Sequence, residues 1–197
     1  MKVLIVCTPR SGTSSFSTSL SKTLNIPLIS IPEQFYTQIH TQFINYLIEK
    51  PKCIVRLDPT HKIGMDIYDF SKYFDHIVLL TRKNEKDYLI SLANLSLKVK
   101  AHKFSPHALY SSKDIPEKIL NSIDKTPEWS SIKEGKLKIN LLARMLKQDI
   151  LFYEHLFSDN FDIDKFLPFL TSDLKSRFSS FLKSTKKLRI NIESSAI

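Results

Sequence analysis

The residues best suited to chemistry stand first in one loop, Cys7-Thr8-Pro9-Arg10-Ser11-Gly12-Thr13-Ser14-Ser15, between a short apolar run and an amphipathic one. A turn of small residues leaves backbone N–H groups pointing at a helix start, where the helix dipole adds positive potential. The hydroxyls of Ser11, Thr13, Ser14 and Ser15 are further donors, and Arg10 is a fork-shaped cation. Together they describe an anion site. It is not the loop of an ordinary nucleotide triphosphatase, which needs G-x-x-x-x-G-K-[ST]; here the loop has one glycine and no lysine. Further acids and bases recur where later apolar runs end: Glu33, then Asp58 and His61, then Arg82. Each has a plainer reading. An acid after Pro32 suits the first turn of any helix, an Asp before Pro59 is a common turn residue, and a lone His is often structural. Arg56, inside an apolar run, needs a sheet edge, an acid or an anion as company.

The elements that must position these residues follow from hydrophobic spacing. Lys2–Cys7 reads as a buried strand rich in β-branched residues, and Thr13–Leu24 as a helix with Phe16, Leu20 and Leu24 on one face. Ile26–Ile31 is a short apolar run interrupted by Pro27. A helix is expected from Pro32 onward through Phe35, Ile39, Phe43 and Leu47. Cys53–Leu57 and His76–Thr81 read as strands, with helices at about Asp66–Tyr73 and Asp87–Leu97. This alternation predicts an α/β fold, a parallel sheet flanked by helices. Ligands bind such sheets outside the carboxyl ends of the strands, so the four loops would converge on one site.

The second half reads differently. Residues 98–135 are rich in Lys, Ser and Pro and weakly periodic, an irregular or partly helical excursion of the kind that forms lids and substrate-binding elements. Leu137–Phe157 is expected as one amphipathic helix carrying Leu141, Leu142, Met145, Leu146 and Phe152. Two short helices follow at Asp164–Leu170 and Thr171–Lys183, then a basic and polar tail, Lys186–Ile197. The expected organisation is a single domain, 1–197, with an α/β core over 1–97, the excursion over 98–135 and a helical part over 136–197.

Composition narrows the class. The 197 residues include 29 Lys and Arg against 20 Asp and Glu, a net charge of +9 that calls for anionic company. Basic residues are scattered except at Lys98–Lys103 and Lys183–Arg189, so no nucleic-acid stripe is evident. Cys7 and Cys53 cannot build a disulfide scaffold or a four-ligand zinc site and read as small core residues, and the six histidines show no metal-ligand spacing. No apolar run is long enough to span a membrane, and no secretory signal is visible; a cytoplasmic protein is the expectation. Trp129 reads as a hydrophobic anchor for the excursion more readily than as a platform for a sugar.

The stretch Pro9-Arg10-Ser11-Gly12-Thr13-Ser14 resembles the 5′-phosphosulfate-binding loop of sulfotransferases, P-[KR]-S-G-T-[TS]. His76-Ile-Val-Leu-Leu-Thr-Arg82, followed by a helix carrying Ser91, is similar to that family's second motif. The resemblance covers about the first 95 residues. It implies a P-loop-type fold and transfer of a sulfuryl group from 3′-phosphoadenosine-5′-phosphosulfate (PAPS) to a hydroxyl or amine of a carbohydrate or small-molecule acceptor, leaving adenosine 3′,5′-bisphosphate. It assigns Arg10, Ser11, Gly12, Thr13, Ser14 and Ser15 to the 5′-phosphosulfate, and Arg82 and Ser91 to the 3′-phosphate. No metal is needed. Some branches carry a catalytic Glu just past the second strand, where Glu33 stands; Asp58 and His61 compete for the role of base. The basic excursion suggests an anionic or carbohydrate acceptor. The sequence departs from the pattern in three ways: Ser91 follows Arg82 by nine positions where eight is common, Lys83-Asn84 follows the Arg, and the C-terminal Gly-rich cofactor loop has no counterpart. The Lys186-Lys187-Leu188-Arg189 run could substitute for that loop as a phosphate contact. Two other readings remain: a P-loop kinase with Asp58 as magnesium ligand or base, and a non-catalytic anion-binding protein.

Overall fold

The structure, a computed structural model, describes residues 1–30, 45–47, 49–61, 63–100, 117–158 and 161–194. Five strands, β1 (Lys2–Cys7), β2 (Leu28–Ser30), β3 (Cys53–Leu57), β4 (His76–Thr81) and β5 (Leu151–Phe152), form one sheet in the order β2-β3-β1-β4-β5. Every pairing is parallel. β1 is central and apolar on both faces, as a strand covered by helices on both sides must be. Leu4 and Val6 point into one core with Val55, Leu57 and Leu79, while Val3 and Ile5 point into the other with Ile54, Val78 and Leu80. The register sets Val6 opposite both Leu57, the last residue of β3, and Leu79, so β1 and β4 run one and two residues past the end of β3.

Helix α1 (Thr13–Leu24) covers the second core through Phe16 and Leu20. α2 (Ile67–Ser71) covers the first core through Phe70. β1 thus sends its helix to one face while its neighbour β3 sends the next helix to the other. That reversal opens a crevice between their carboxyl ends. α3 (Glu85–Lys100) and α4 (Glu117–Ile123) share a smaller cluster around Tyr88 and Ile123 with Trp129 and Ile132 of α5 (Pro127–Leu146). α6 (Tyr153–Leu156), α7 (Ile163–Phe166) and α8 (Ser172–Ser194) complete the chain, and Phe178 of α8 meets Phe16 edge-on at 5.5 Å.

The α/β architecture is the one expected, with four corrections to its elements. First, the helix expected over Leu137–Phe157 is α5, beginning at Pro127 inside the expected irregular excursion. Thr126 Oγ1 caps it by accepting from Trp129 N, Pro127 supplies the preset φ of a first helical residue, and Lys147 at φ 51° ends it. Second, Leu151–Phe152 is not helical: it adds an edge strand, Leu80 pairing with Leu151 and Thr81 with Phe152. Third, α7 starts one residue earlier than expected, capped by Asp162 accepting from Lys165 N at 2.9 Å, and ends at Phe166 because Pro168 holds Leu167 out of helical backbone, at φ −131° and ψ 55°. Fourth, the expected tail from Lys186 is helical as far as Ser194, within α8. Most of the helix expected from Pro32 lies outside the described residues; its end is helical at 45–47 and 49, with Leu47 buried. Among the described residues no helix is long and apolar enough to cross a membrane.

Candidate anion-binding site

The loop between β1 and α1 is built from its own hydroxyls. Ser11 Oγ donates to the Thr8 carbonyl at 2.6 Å and lies 2.9 Å from Thr13 Oγ1, and both side chains are buried. Ser11 and Thr13 therefore fix the shape of the turn, and the hydroxyls left at its surface are the exposed Ser14 and half-buried Ser15. Arg10 at φ 63° and Gly12 at φ 73° both take left-handed backbone, which turns the chain sharply into α1. Gly12 is the N-cap of that helix and has no side chain to accept from its first amides; no acid sits in the first turn. The positive end of α1 is thus not neutralised by its own sequence. Gly12 also meets a neighbour: a Cβ built there would overlap the ring of Tyr153.

Three arginines gather on this loop from three adjacent strands. Arg10 Nε donates to Ser91 Oγ at 2.9 Å and its Nη2 to the Ser91 carbonyl at 3.3 Å. Arg82, just past β4, donates from Nε to the Arg10 carbonyl at 2.7 Å and from Nη1 to the Asp87 carbonyl at 3.3 Å. Its guanidinium lies 4.2 Å from the centre of the Tyr153 ring, a cation–π contact. Arg56, half-buried on β3, donates from Nη1 to Ser14 Oγ at 3.2 Å. Among the described residues, neither Arg56 nor Arg82 has a carboxylate partner. Like charges so gathered repel one another, and an anion placed among them is the electrostatic complement. Arg10, Ser14, Arg82 and Ser91 are therefore brought together as expected, and Arg56, left open by the sequence, joins them through Ser14.

A buried clasp sets the height of this arrangement. Tyr88, wholly buried, accepts from Arg82 N at 3.0 Å, lies 2.8 Å from Thr81 Oγ1 and hydrogen-bonds Thr8 Oγ1, while the two threonine hydroxyls stand 3.1 Å apart. Burial raises the phenol's pKa, so the ring is neutral and serves as a hydrogen-bonding post between the ends of β1 and β4. Glu154 accepts from Lys83 N at 3.0 Å and from Asn84 N at 3.4 Å, tying down the loop after β4. Sequence reasoning missed Tyr88, Tyr153 and Glu154. The last two fell inside a stretch read as helix; an aromatic and an acid directly after a two-residue edge strand leave no periodic signal.

The turn after β3 forms the other wall. Asp58 Oδ1 accepts from Thr60 N at 2.9 Å and from Thr60 Oγ1 at 2.8 Å, and His61 N donates to the Asp58 carbonyl at 3.0 Å. Burial pushes the His61 imidazole below its ordinary value, against the neighbouring Asp58 charge, which raises it. The ring is consequently neutral at pH 7 and able to accept a proton. α5 lies across this turn because Gly135 lacks a side chain: a Cβ would stand 3.2 Å from Thr8 Cγ2 and 3.4 Å from Pro59 Cγ. Ser131 Oγ adds a bond to Thr60 Oγ1 at 3.2 Å. Glu33 lies outside the described residues. Cys7 is buried and its thiol is pushed up to about 12, chiefly by desolvation, so it is a core residue. Trp129 is buried 6.2 Å from Tyr88, an anchor and not an exposed platform. Lys186-Lys187-Leu188-Arg189 belongs to α8.

No protein-family profile matches the chain, and no curated protein or solved structure matches it either.

Proposed function

We propose that the chain is a sulfotransferase that takes PAPS as donor. The observation that carries this reading is the gathering of Arg10, Arg56 and Arg82 on a Gly12-capped helix start at the carboxyl edge of a parallel sheet. The donor set fits the group: a molecule with a 5′-phosphosulfate and a separate 3′-phosphate needs several cations on one loop, and guanidinium forks suit both ends. The likeness of Pro9–Ser14 and of the Arg82–Ser91 element to sulfotransferase motifs supports it further. When bound, PAPS would supply a sulfuryl group whose bond to the 5′-phosphate breaks as a new S–O bond forms to an acceptor hydroxyl, or a new S–N bond to an acceptor amine.

The chain's own residues then have distinct tasks. The amides at the start of α1, Ser14, Arg10 and Arg56 hold the 5′ end and neutralise charge developing on the leaving phosphate. Arg82 and Ser91 hold the 3′-phosphate, with Tyr153 keeping the Arg82 plane oriented. His61 takes the acceptor proton while the Asp58 charge beside it stabilises the imidazolium. The discriminating experiment is a thermal-shift series with adenosine 3′,5′-bisphosphate on the parent chain and on Arg10→Ala, Arg56→Ala and Arg82→Ala. A ligand at one hundred times its Kd stabilises by about 2.7 kcal/mol, and each variant should lose most of that gain. A larger gain from ATP with magnesium would overturn the reading in favour of a kinase.

A further inference from the structure

Beside the anion site lies a second, apolar site. A groove of about 330 Å³ runs between α2 and α5, floored by Leu57 and Leu142 and walled by Ile63, Met65, Leu141 and Met145. Its upper end is the turn Pro59–His61, the same turn that carries Asp58, and Gly135 seats α5 against that turn. Just past the end of α5, Gln148 Nε2 donates to the Ile77 carbonyl at 2.5 Å and pins α5 near the start of β4. The groove therefore starts at the turn after β3, which Gly135 packs beside Thr8, and lies on the face of the sheet that α2 and α5 cover.

The lining decides what could occupy it. Leu57 and Leu142 are buried, but Leu141 and Met145 are 48% and 54% exposed, unusual for large apolar side chains facing a cavity. Two of the polar lining groups are already engaged: Lys138 pairs with Glu134 at 2.7 Å, and Asp66 caps α2 by accepting from Tyr68 N at 2.7 Å. A sugar would bury several hydroxyls against aliphatic walls, each unpaired hydroxyl costing affinity. The volume is that of a small-molecule site, too small for a docked helix. The polar end, at His61, is also the end nearest the anion loop. We propose that this groove binds the acceptor, a small molecule with an apolar aliphatic or aromatic body and a single hydroxyl directed to the His61 end. The acceptor assignment rests on the reading of the loop as the donor site; occupancy of the groove does not.

The chain contains three methionines, and two of them, Met65 and Met145, line the groove while Met1 lies at the start of β1. Methyl-labelled methionine NMR therefore reports occupancy directly. Titration with 4-butylphenol should shift the Met65 and Met145 methyls together, saturating on the order of millimolar or tighter, and leave Met1 unmoved. Glucose should shift none. Leu141→Glu, at a position exposed enough to tolerate the change, should weaken the phenol at least about tenfold and leave the affinity for adenosine 3′,5′-bisphosphate unchanged. Shifts with glucose and not with the phenol, or shifts with neither, would overturn the proposal. If the bisphosphate binds while the groove stays empty, the donor reading stands and this one falls. If the phenol binds while the bisphosphate does not, the groove is a ligand site and the donor reading falls.

Discussion

Gly12→Ala tests the loop geometry with a magnitude that the structure supplies. At φ 73° an alanine pays the left-handed penalty of about 1–2 kcal/mol. Its methyl would also overlap the Tyr153 ring, and overpacking of that kind costs about 1–3 kcal/mol more. The expected loss is about 2–5 kcal/mol in urea unfolding, monitored by far-ultraviolet circular dichroism. The two contributions separate in a double-mutant cycle. In a Tyr153→Ala background the overlap is gone, so Gly12→Ala should cost only the backbone share of about 1–2 kcal/mol. Displacing the ring also removes the face on which Arg82 rests, so Gly12→Ala should weaken bisphosphate binding even where the protein remains folded. An equal cost in both backgrounds, or a loss under about 0.5 kcal/mol, would refute the close packing of loop and ring.

Other perturbations give sharper local readings. Arg56→Met should lower bisphosphate affinity about 10–100-fold with little loss of stability, since its bond to Ser14 is at the surface of the site; calorimetry with a parallel urea melt checks both. Tyr88→Phe leaves Arg82 N, Thr81 and Thr8 short of a buried partner, and should cost about 1–3 kcal/mol by the same melt. His76, stacked on Phe169 at 4.2 Å, has its pKa lowered by burial, so the unfolded chain binds more protons below the ordinary value of 6.5. Stability conferred by the neutral ring is present above that value and is lost as pH falls from it through the lower folded-state value. Melting temperature should drop as pH falls below 6.5, and His76→Leu should flatten part of that drop. Cys7 should resist a thiol reagent in the native protein and react on unfolding.

How much was legible in the sequence depended on the kind of signal each element carries. β1, β3 and β4 announce themselves as β-branched runs because a central parallel strand is apolar on both faces. α1 was legible from Phe16 and Leu20 at helical spacing, and the sharp turn before it from its small residues between strand and helix. β5 was not: two residues, Leu151 and Phe152, sit in an apolar stretch that a helix would also explain, and only pairing with Leu80 and Thr81 makes them a strand. The start of α5 was hidden by Pro127 and by the lysines and serines of its exposed face, although Thr126-Pro127 is a capping pair in hindsight. Residue type picked out Arg10 and Arg82, which the fold brings together, but not the direction of the serines. Ser11 and Thr13 turn inward because the buried Thr8 carbonyl needs a donor, a demand that exists only once the loop is closed. Arg56 shows the same limit: a cation in a strand signals a partner, and only the register of β3 beside β1 points it at Ser14.

In the proposed role, Arg10, Arg56 and Arg82 hold a nucleotide carrying two separate phosphate groups. Calorimetric titration with adenosine 3′,5′-bisphosphate, set against AMP under the same salt, tests it most directly. The bisphosphate should bind at least about tenfold more tightly, and Arg82→Ala should remove that preference while leaving AMP affinity nearly unchanged. Equal affinity for the two nucleotides, or a preference that survives Arg82→Ala, would contradict it.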